Sequence, residues 1–540
     1  MRITNQMMIN TNMADIQTNK LLLNKYNTQM STQKKINRPS EDPIIAIRAL
    51  RLRTSLDQVS MYLDKNIPDA SSWLDTTEGA LDEGNSIITR LYGYCEQGAT
   101  DSYSSEQRQT ISETLSKLKE AFYAEGDVEY AGRYVFTGYK TDTPLTYQSD
   151  DDAKNISYTI SQDFNRSYLT TKKAYTNSYT NDDIMNLNLH KDADGNIVTP
   201  NVKTVHTLRT AYTGVHDTGF NMTYNNTDIK VSEDGTSAVV TTYELDDDGN
   251  IKKDDNGNPV VKDTQTVTGD ADGKFTFTDT EGKQVVLGTT KDDNAIPEDN
   301  EIIFNSSTGE IILGADIYSN VYESNKFSVS YIKDNFQKGD LNPTMYYNCI
   351  DNNTGVTYEK KDEAIEYNVN YSQKLKINTQ ADEAFNIYLG RDIDSLVTSV
   401  NDVLDIEAQI SQVKSMMSEE RYSDKTSQST LNSMLEGLNK QYDLAKNNMT
   451  EAFENGVKQM KSYQQQNSVA KADVGNRESR LTLTKSRVTE QKTNFKSLKS
   501  NNEDIDLEEV VIGYASAELV YNASLSAASK VVQQTLLDFL

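Results

Sequence analysis

Both ends of this chain repeat apolar residues at a spacing that only a helix packed along its length can use. Near one end the run is Ile9, Met13, Ile16, Leu23 and Met30, in steps of four, three and seven. Near the other it is Val511, Tyr514, Tyr521, Leu525, Ala528 and Val532. A 3.5-residue period puts each set on one stripe of a helix that packs against a partner. Lys20, Asn27 and Glu518 dilute the stripes. Neither stripe has a core nearby to cover, so the two ends are predicted to pair with each other and to serve as an assembly interface.

The same spacing recurs further in. Val474, Leu481, Val488 and Phe495 lie seven apart, with Thr484, Gln491 and Leu498 on the interleaved register. Residues 43–125 and 391–470 are rich in helix formers. Residues 132–385 differ: Thr, Tyr, Val, Asn and Asp dominate, and alternating runs such as KFTFTD, EIIFN and YNVNY are separated by DDDGN, DNGN, DADGK, TEGK and STGE. Asp/Asn-Gly pairs supply the positive φ of tight hairpin turns. The pattern predicts a mainly α chain with an inserted β-rich region and paired coiled-coil helices at the ends. The expected divisions are 1–42 with 501–540, 43–131 with 386–500, and 132–385, the last with a nested insert at 180–355.

Between the first stripe and the next helical segment stands INRPSEDP. Each proline pushes the residue before it out of the α region, so Asp42 is a ready N-cap with Pro43 at the first helical position. Asn37, Arg38, Pro39, Ser40, Asp42 and Pro43 therefore form an interhelical joint. An ordinary interhelical loop fits the same residues.

Composition restricts the function. The chain of 540 residues has 36% hydrophobic residues, 8 Pro, 1 Trp and a net charge of −27, a polar make-up that points to an elongated molecule rather than a compact enzyme. Phosphate neutralisation needs an excess of Lys and Arg, so nucleic acid is not an expected partner. Charge is uneven: residues 1–60 hold 9 Lys/Arg against 4 Asp/Glu, and 241–300 hold 6 against 15. The first residues have no uninterrupted apolar stretch of a cleaved signal, and no run approaches a membrane span. Cys95 and Cys349 are expected to be reduced, and His190, His206 and His216 stand apart. No catalytic or cofactor site is expected. ELDDDGNIKKDD places Glu244, Asp246, Asp248, Gly249 and Asp255 near the ligand positions of a calcium loop, but with Glu and Asp exchanged at its two ends. Acidic hairpin tips account for it and for its neighbours DADG and DNGN together.

The segments KKINRPSEDPIIAIRALRLRTSL, DASSWLDTTEGAL at 69–81 and GRYVFTGYKTDTP at 132–144, with a terminal LLDFL, resemble the flagellin superfamily, and within it the hook-associated proteins. The resemblance covers about residues 1–150 and 385–540. It implies an axial structural protein of the bacterial flagellum joining hook to filament. Ile9 to Met30 and Val511 to Val532 would form an inner layer, Pro43 to Glu125 with Arg391 to Ser500 the next shell, and the β-rich part would face solvent. It also implies type III export, a chaperone on the C-terminal helix, a ring of identical copies, and flagellin and another hook-associated protein as neighbours. A filament subunit shares this architecture. A secreted coiled-coil adhesin is a further reading, but would need a signal and an anchor. The superfamily's usual Gly-Lys before the joint is Gln33-Lys34 here, which lets the first helix run on to Lys35.

Overall fold

The structure, a computed structural model, describes residues 5–100, 103–246, 251–254, 256–279 and 282–537. Its long helices are α1 (Asn5–Thr32), α2 (Pro43–Met61), α3 (Ile67–Gly98), α4 (Ser105–Ala124), α5 (Ile387–Met417), α6 (Lys425–Glu503) and α7 (Leu507–Leu537). Among the described residues all the strands lie between α4 and α5, separated by turns, loops and short helices. The molecule is thus mainly α with an inserted β-rich region, the class predicted from the sequence.

Helix boundaries follow local chemistry. Ser104 and Gln107 form a reciprocal capping box at the start of α4. Between α2 and α3 the helix passes through a π turn, Tyr62–Asn66. Pro68 has no N–H to give to the carbonyl four residues back, and the widened turn just before it, with Ile67 N–H bonded to the Tyr62 carbonyl, absorbs the misfit. In α6 the heptad residues Val474, Leu481 and Val488 are buried, as is Thr484, whereas Phe495 is half-buried and Leu498 exposed.

Two larger sheets form. One orders Phe275–Thr278, Gln284–Thr290, Glu301–Asn305, Glu310–Leu313, Asn201–Arg209 and Thr170–Thr176, with a single parallel pairing, between Gln284–Thr290 and Glu301–Asn305. The other orders Thr357–Tyr358, Asn348–Asp351, Ser157–Phe164, Phe327–Asp334, Asn221–Tyr224, Thr227–Val231, Ser237–Tyr243 and Val261–Thr268, all antiparallel. Ser157–Phe164 pairs with both Phe327–Asp334 and Asn348–Asp351, and Thr170–Thr176 pairs with Asn201–Arg209. Strands from before residue 180 therefore share each sheet with strands after it, and the nested boundary at 180 and 355 does not coincide with a sheet edge.

The acidic turns share one construction. Asp254 accepts from the backbone N–H groups of Asn256 and Asn258 at 2.9 and 2.8 Å, and Gly257 takes φ +84°. Asp192 with Asn196 and Gly195 (φ +84°), and Asp270 with Lys274 and Gly273 (φ +74°), repeat it. The side-chain and backbone hydrogen bonds that Asp192 accepts hold its carboxylate below the usual range.

The chain divides into two compact units: residues 1–72, 366–377 and 476–540, and residues 73–365 and 378–475. In the second, the sheets are fixed to helices by buried polar contacts. Arg209 donates to Asp392 at 2.5 Å, and the Tyr463 hydroxyl donates to the same carboxylate at 2.6 Å. Tyr123 hydroxyl donates to the Asn386 carbonyl and accepts from Gly390 N–H, both at 2.8 Å. The GRYVFTG segment places Phe136 edge-on to Phe385, centroids 4.9 Å apart. Trp73 is fully buried, with the Arg133 guanidinium 4.9 Å from its ring centre.

Candidate assembly surface

The first unit carries the terminal stripes. Helices α1 and α7 pack antiparallel along their lengths: Asn19 Nδ2 donates to Ser524 Oγ at 3.0 Å, and the Tyr26 ring lies so close to Gly513 that a Cβ there would sit 2.8 Å from it. On α1 the half-buried residues are Ile9, Asn12, Ile16, Asn19, Leu23, Tyr26, Gln29 and Met30. On α7 the buried or half-buried ones are Val510, Gly513, Tyr514, Ala517, Tyr521, Ser524 and Ala528.

This sorts the predicted interface residues into two faces. Ile9, Ile16, Leu23, Met30, Tyr514, Tyr521 and Ala528 lie in the seam between the two helices, whereas Met13, Val511 and Leu525 point outward. The side chain of Val532 lies outside the described residues. The second leg of each heptad runs one residue earlier than the apolar count suggests, through Asn12 and Asn19 on α1 and Val510, Ala517 and Ser524 on α7. Small and amide side chains let the helices approach, and for the same reason Lys20, Asn27 and Glu518 do not interrupt the contact: all three are exposed.

A second apolar set is thereby left uncovered. Leu21 is 69% exposed, Ile512 67% and Leu519 72%, and Met7, Met8, Met13, Leu22, Val511, Val520 and Leu525 are exposed with them. Outward-facing Ile44, Ile47 and Leu50 extend the set onto α2. Apolar side chains this dense on one small unit are exposed surface of the kind that another molecule covers favourably.

The joint is a paired structure, not a free loop. Helix α1 stops at Thr32, and Gln33 takes φ +58° while its N–H bonds the Gln29 carbonyl at 2.7 Å, the left-handed helix ending that glycine ordinarily fills. The expected run to Lys35 is therefore corrected: Gln33 adopts the glycine conformation itself. Two backbone bonds then tie this end to the break between α6 and α7, from Lys35 N–H to the Glu503 carbonyl at 2.7 Å and from Ile505 N–H to the Gln33 carbonyl at 3.2 Å. Arg38 carbonyl accepts from Glu41 N–H at 3.0 Å across Pro39 and Ser40, and Asn37 N–H donates to the Glu41 carboxylate. Asp42 is extended (φ −150°, ψ 100°) and caps α2 by accepting from Ile44 and Ile45 N–H at 3.0 Å, with Pro43 next. Asp506 caps α7 in the same way.

Ion pairs lock the two breaks together. Arg53 donates through Nε and Nη2 to both carboxylate oxygens of Glu503, each at 2.7 Å, and Lys34 pairs with Asp504. The Glu503 side chain is only 4% exposed. Its hydrogen bonds from Arg53 hold its carboxyl below the usual range, and the hydrogen bond from Lys34 does the same for Asp504. Sequence reading missed Glu503 and Arg53 altogether. The only signal for them was the short NNEDID break opposite the joint.

The remaining candidates are occupied by structure. His190 stacks on Tyr179 and lies 3.2 Å from Asp183, His206 stacks on Tyr318, and His216 lies 2.9 Å from Asp334. Of the calcium-like residues, Asp248, Gly249 and Asp255 lie outside the described residues, and Glu244 pairs with Lys252 at 3.0 Å. Among the described residues no cluster of three or more His, Cys, Asp or Glu is placed to hold a metal, and no helix is long and apolar enough to cross a membrane. Cys95 and Cys349 are free thiols, and burial pushes both up to about 12.

With this geometry in hand, the chain can be compared with known proteins. Residues 3–141 match the bacterial flagellin N-terminal helical region, so the α1–α4 part of the chain is similar to that region. More particularly, it is similar to flagellar hook-associated protein 3 of Escherichia coli strain K12, with 30% identity over 145 residues, covering 26% of this chain and 45% of that protein. The hook-associated protein 3 of Salmonella typhimurium is 29% identical over 144 residues, covering 26% and 45%. The chain thus spans less than half the length of these curated relatives. A crystal structure of flagellar hook-associated protein 3 from Legionella pneumophila aligns over 83% of this chain and 97% of its own, at 10% identity and a TM-score of 0.30.

Proposed function

We propose that this protein is a structural axial component of the bacterial flagellum that joins hook to filament and assembles through its terminal helices. The observation that carries the reading is the uncovered apolar set on α1, α2 and α7, of which α1 and α2 lie in the segment that matches the flagellin N-terminal helical region. A pair of helices that buries one stripe and exposes another has a reason to join identical or similar neighbours, since burial of that area is favourable only in an assembly. Copies of the chain, flagellin and another hook-associated protein are the neighbours proposed, and a chaperone on α7 would cover Leu519 and Val520 before assembly. On this reading the protein would act outside the cell at the hook–filament junction, in a structural role.

Imaging flagella from a strain lacking the gene tests this. The expected result is hooks without filaments and monomeric flagellin in the medium, restored by the intact gene. Filaments attached as in the parent would overturn the junction role. Loss of the filament with no shed flagellin would favour a filament subunit, the second reading, which the flagellin match also supports.

A further inference from the structure

The exposed faces of α2 and α7 differ in charge as well as sharing apolar character. Along residues 43–56 the only charged side chains are Arg48, Arg51 and Arg53. Arg53 is held by Glu503, whereas Arg48 and Arg51 are exposed beside Ile44, Ile47 and Leu50. Along residues 507–529 the only charged side chains are Glu508, Glu509 and Glu518. All three are exposed, and Glu508 and Glu509 stand beside Leu507, Val511 and Ile512. Arg48, Arg51, Glu508, Glu509 and Glu518 make no ion pair within the chain among the described residues.

We infer that the α2 face of one copy docks on the first turns of α7 of the next copy, Arg48 and Arg51 meeting Glu508 and Glu509 around an apolar centre of Ile44, Ile47, Val511 and Ile512. Taking the terminal region as a self-assembly surface rests on the reading above; the pairing of these two faces is new. Like faces repel: two α2 faces would oppose arginine to arginine, and two α7 faces glutamate to glutamate, which disfavours like-on-like pairing. Each copy therefore offers one basic and one acidic face, and the contact is one between unlike faces. A contact between unlike faces can be made twice across a two-fold axis, close a ring or continue as a helix. The charges act as a selector of partner and register, while the isoleucines and valine supply the buried area.

Cysteine cross-linking of the purified full chain tests the pairing without reference to flagella. Ile47→Cys and Ile512→Cys are placed on separate, size-distinguishable copies, mixed and oxidised, the native Cys95 and Cys349 being buried. The expected product is the mixed dimer, with little of either homodimer. Arg48→Glu with Arg51→Glu should reduce it about tenfold or more, and Glu508→Arg with Glu509→Arg on the partner should restore it. Circular dichroism equal to wild type keeps folding out of the result. Homodimers formed as readily as the mixed product, or a yield unchanged by charge reversal, would overturn the inference while leaving the junction role intact. Normal cross-linking in a protein whose deletion leaves filaments attached would do the reverse.

Discussion

Gln33 is where a single residue works against its own preference. A side chain at φ +58° crowds its own backbone, at a cost of about 1 kcal/mol relative to glycine. Gln33→Gly should therefore tighten the joint by about that amount, which hydrogen exchange would show as roughly fivefold stronger protection of the Lys35 and Ile505 N–H groups. Unchanged or weaker protection would mean that the surrounding bonds, not the backbone angle, set the local stability. The Glu503 carboxyl makes a second prediction at this scale. Its pKa is lower in the folded joint than in the unfolded chain, so its contribution is present above the ordinary Glu range of roughly pH 4 and is lost as pH falls through the folded value. An NMR titration of the Arg53 Nε–H should report a midpoint below that ordinary range, and Glu503→Gln should abolish the transition. A midpoint at the ordinary value would contradict the paired geometry.

At the scale of elements, the two faces of α7 separate folding from assembly. Ala517 lies buried against α1 while Leu519 is 72% exposed. Ala517→Asp puts a carboxylate into the helix pair and should cost on the order of 3 kcal/mol, seen as protease cleavage within α1 and α7. Leu519→Asp should leave the protease pattern of the isolated chain unchanged yet block incorporation, with filament attachment as the readout. If Leu519→Asp complements a deletion strain fully, the outward face is not used. The prolines of the joint are weaker levers than their spacing suggests. Because α1 ends at Thr32 and Gln33 to Lys35 are bonded to the opposite break, Pro39→Ala with Pro43→Ala should leave that end in place. Asp42→Ala, which removes the cap of α2, should cost about 1 kcal/mol by itself.

For the whole molecule, the sheet pairings decide what can be removed. Deleting 180–355 would strip Ser157–Phe164 of Phe327–Asp334 and Asn348–Asp351, and Thr170–Thr176 of Asn201–Arg209. It would also remove Arg209, leaving Asp392 buried without its cation. Such a deletion should abolish the cooperative thermal transition of the unit that holds Trp73, monitored by Trp fluorescence. A shortened chain that melts as sharply and as high as the intact one would show that the helices of this unit need none of the sheet.

The sequence by itself determined the class of elements and their order, because helical and strand periodicities and Asp-Gly turns act over a few residues. It determined the capping of α2, since Asp42 needs only the N–H groups of Ile44 and Ile45 just beyond it, and Pro43 only the first helical position. It could not decide which leg of the terminal heptads faces inward. Asn12, Asn19, Ala517 and Ser524 earn the seam through close approach of two helices about five hundred residues apart, a property of the pair and not of either strand of sequence. Nor could it reveal Arg53 and Glu503, whose bidentate pairing, with the Glu503 carboxylate buried beneath a half-exposed Arg53, exists only once α2 and the distant end of α6 lie side by side. Local chemistry wrote the helices; long-range packing decided which of their faces were left for other molecules.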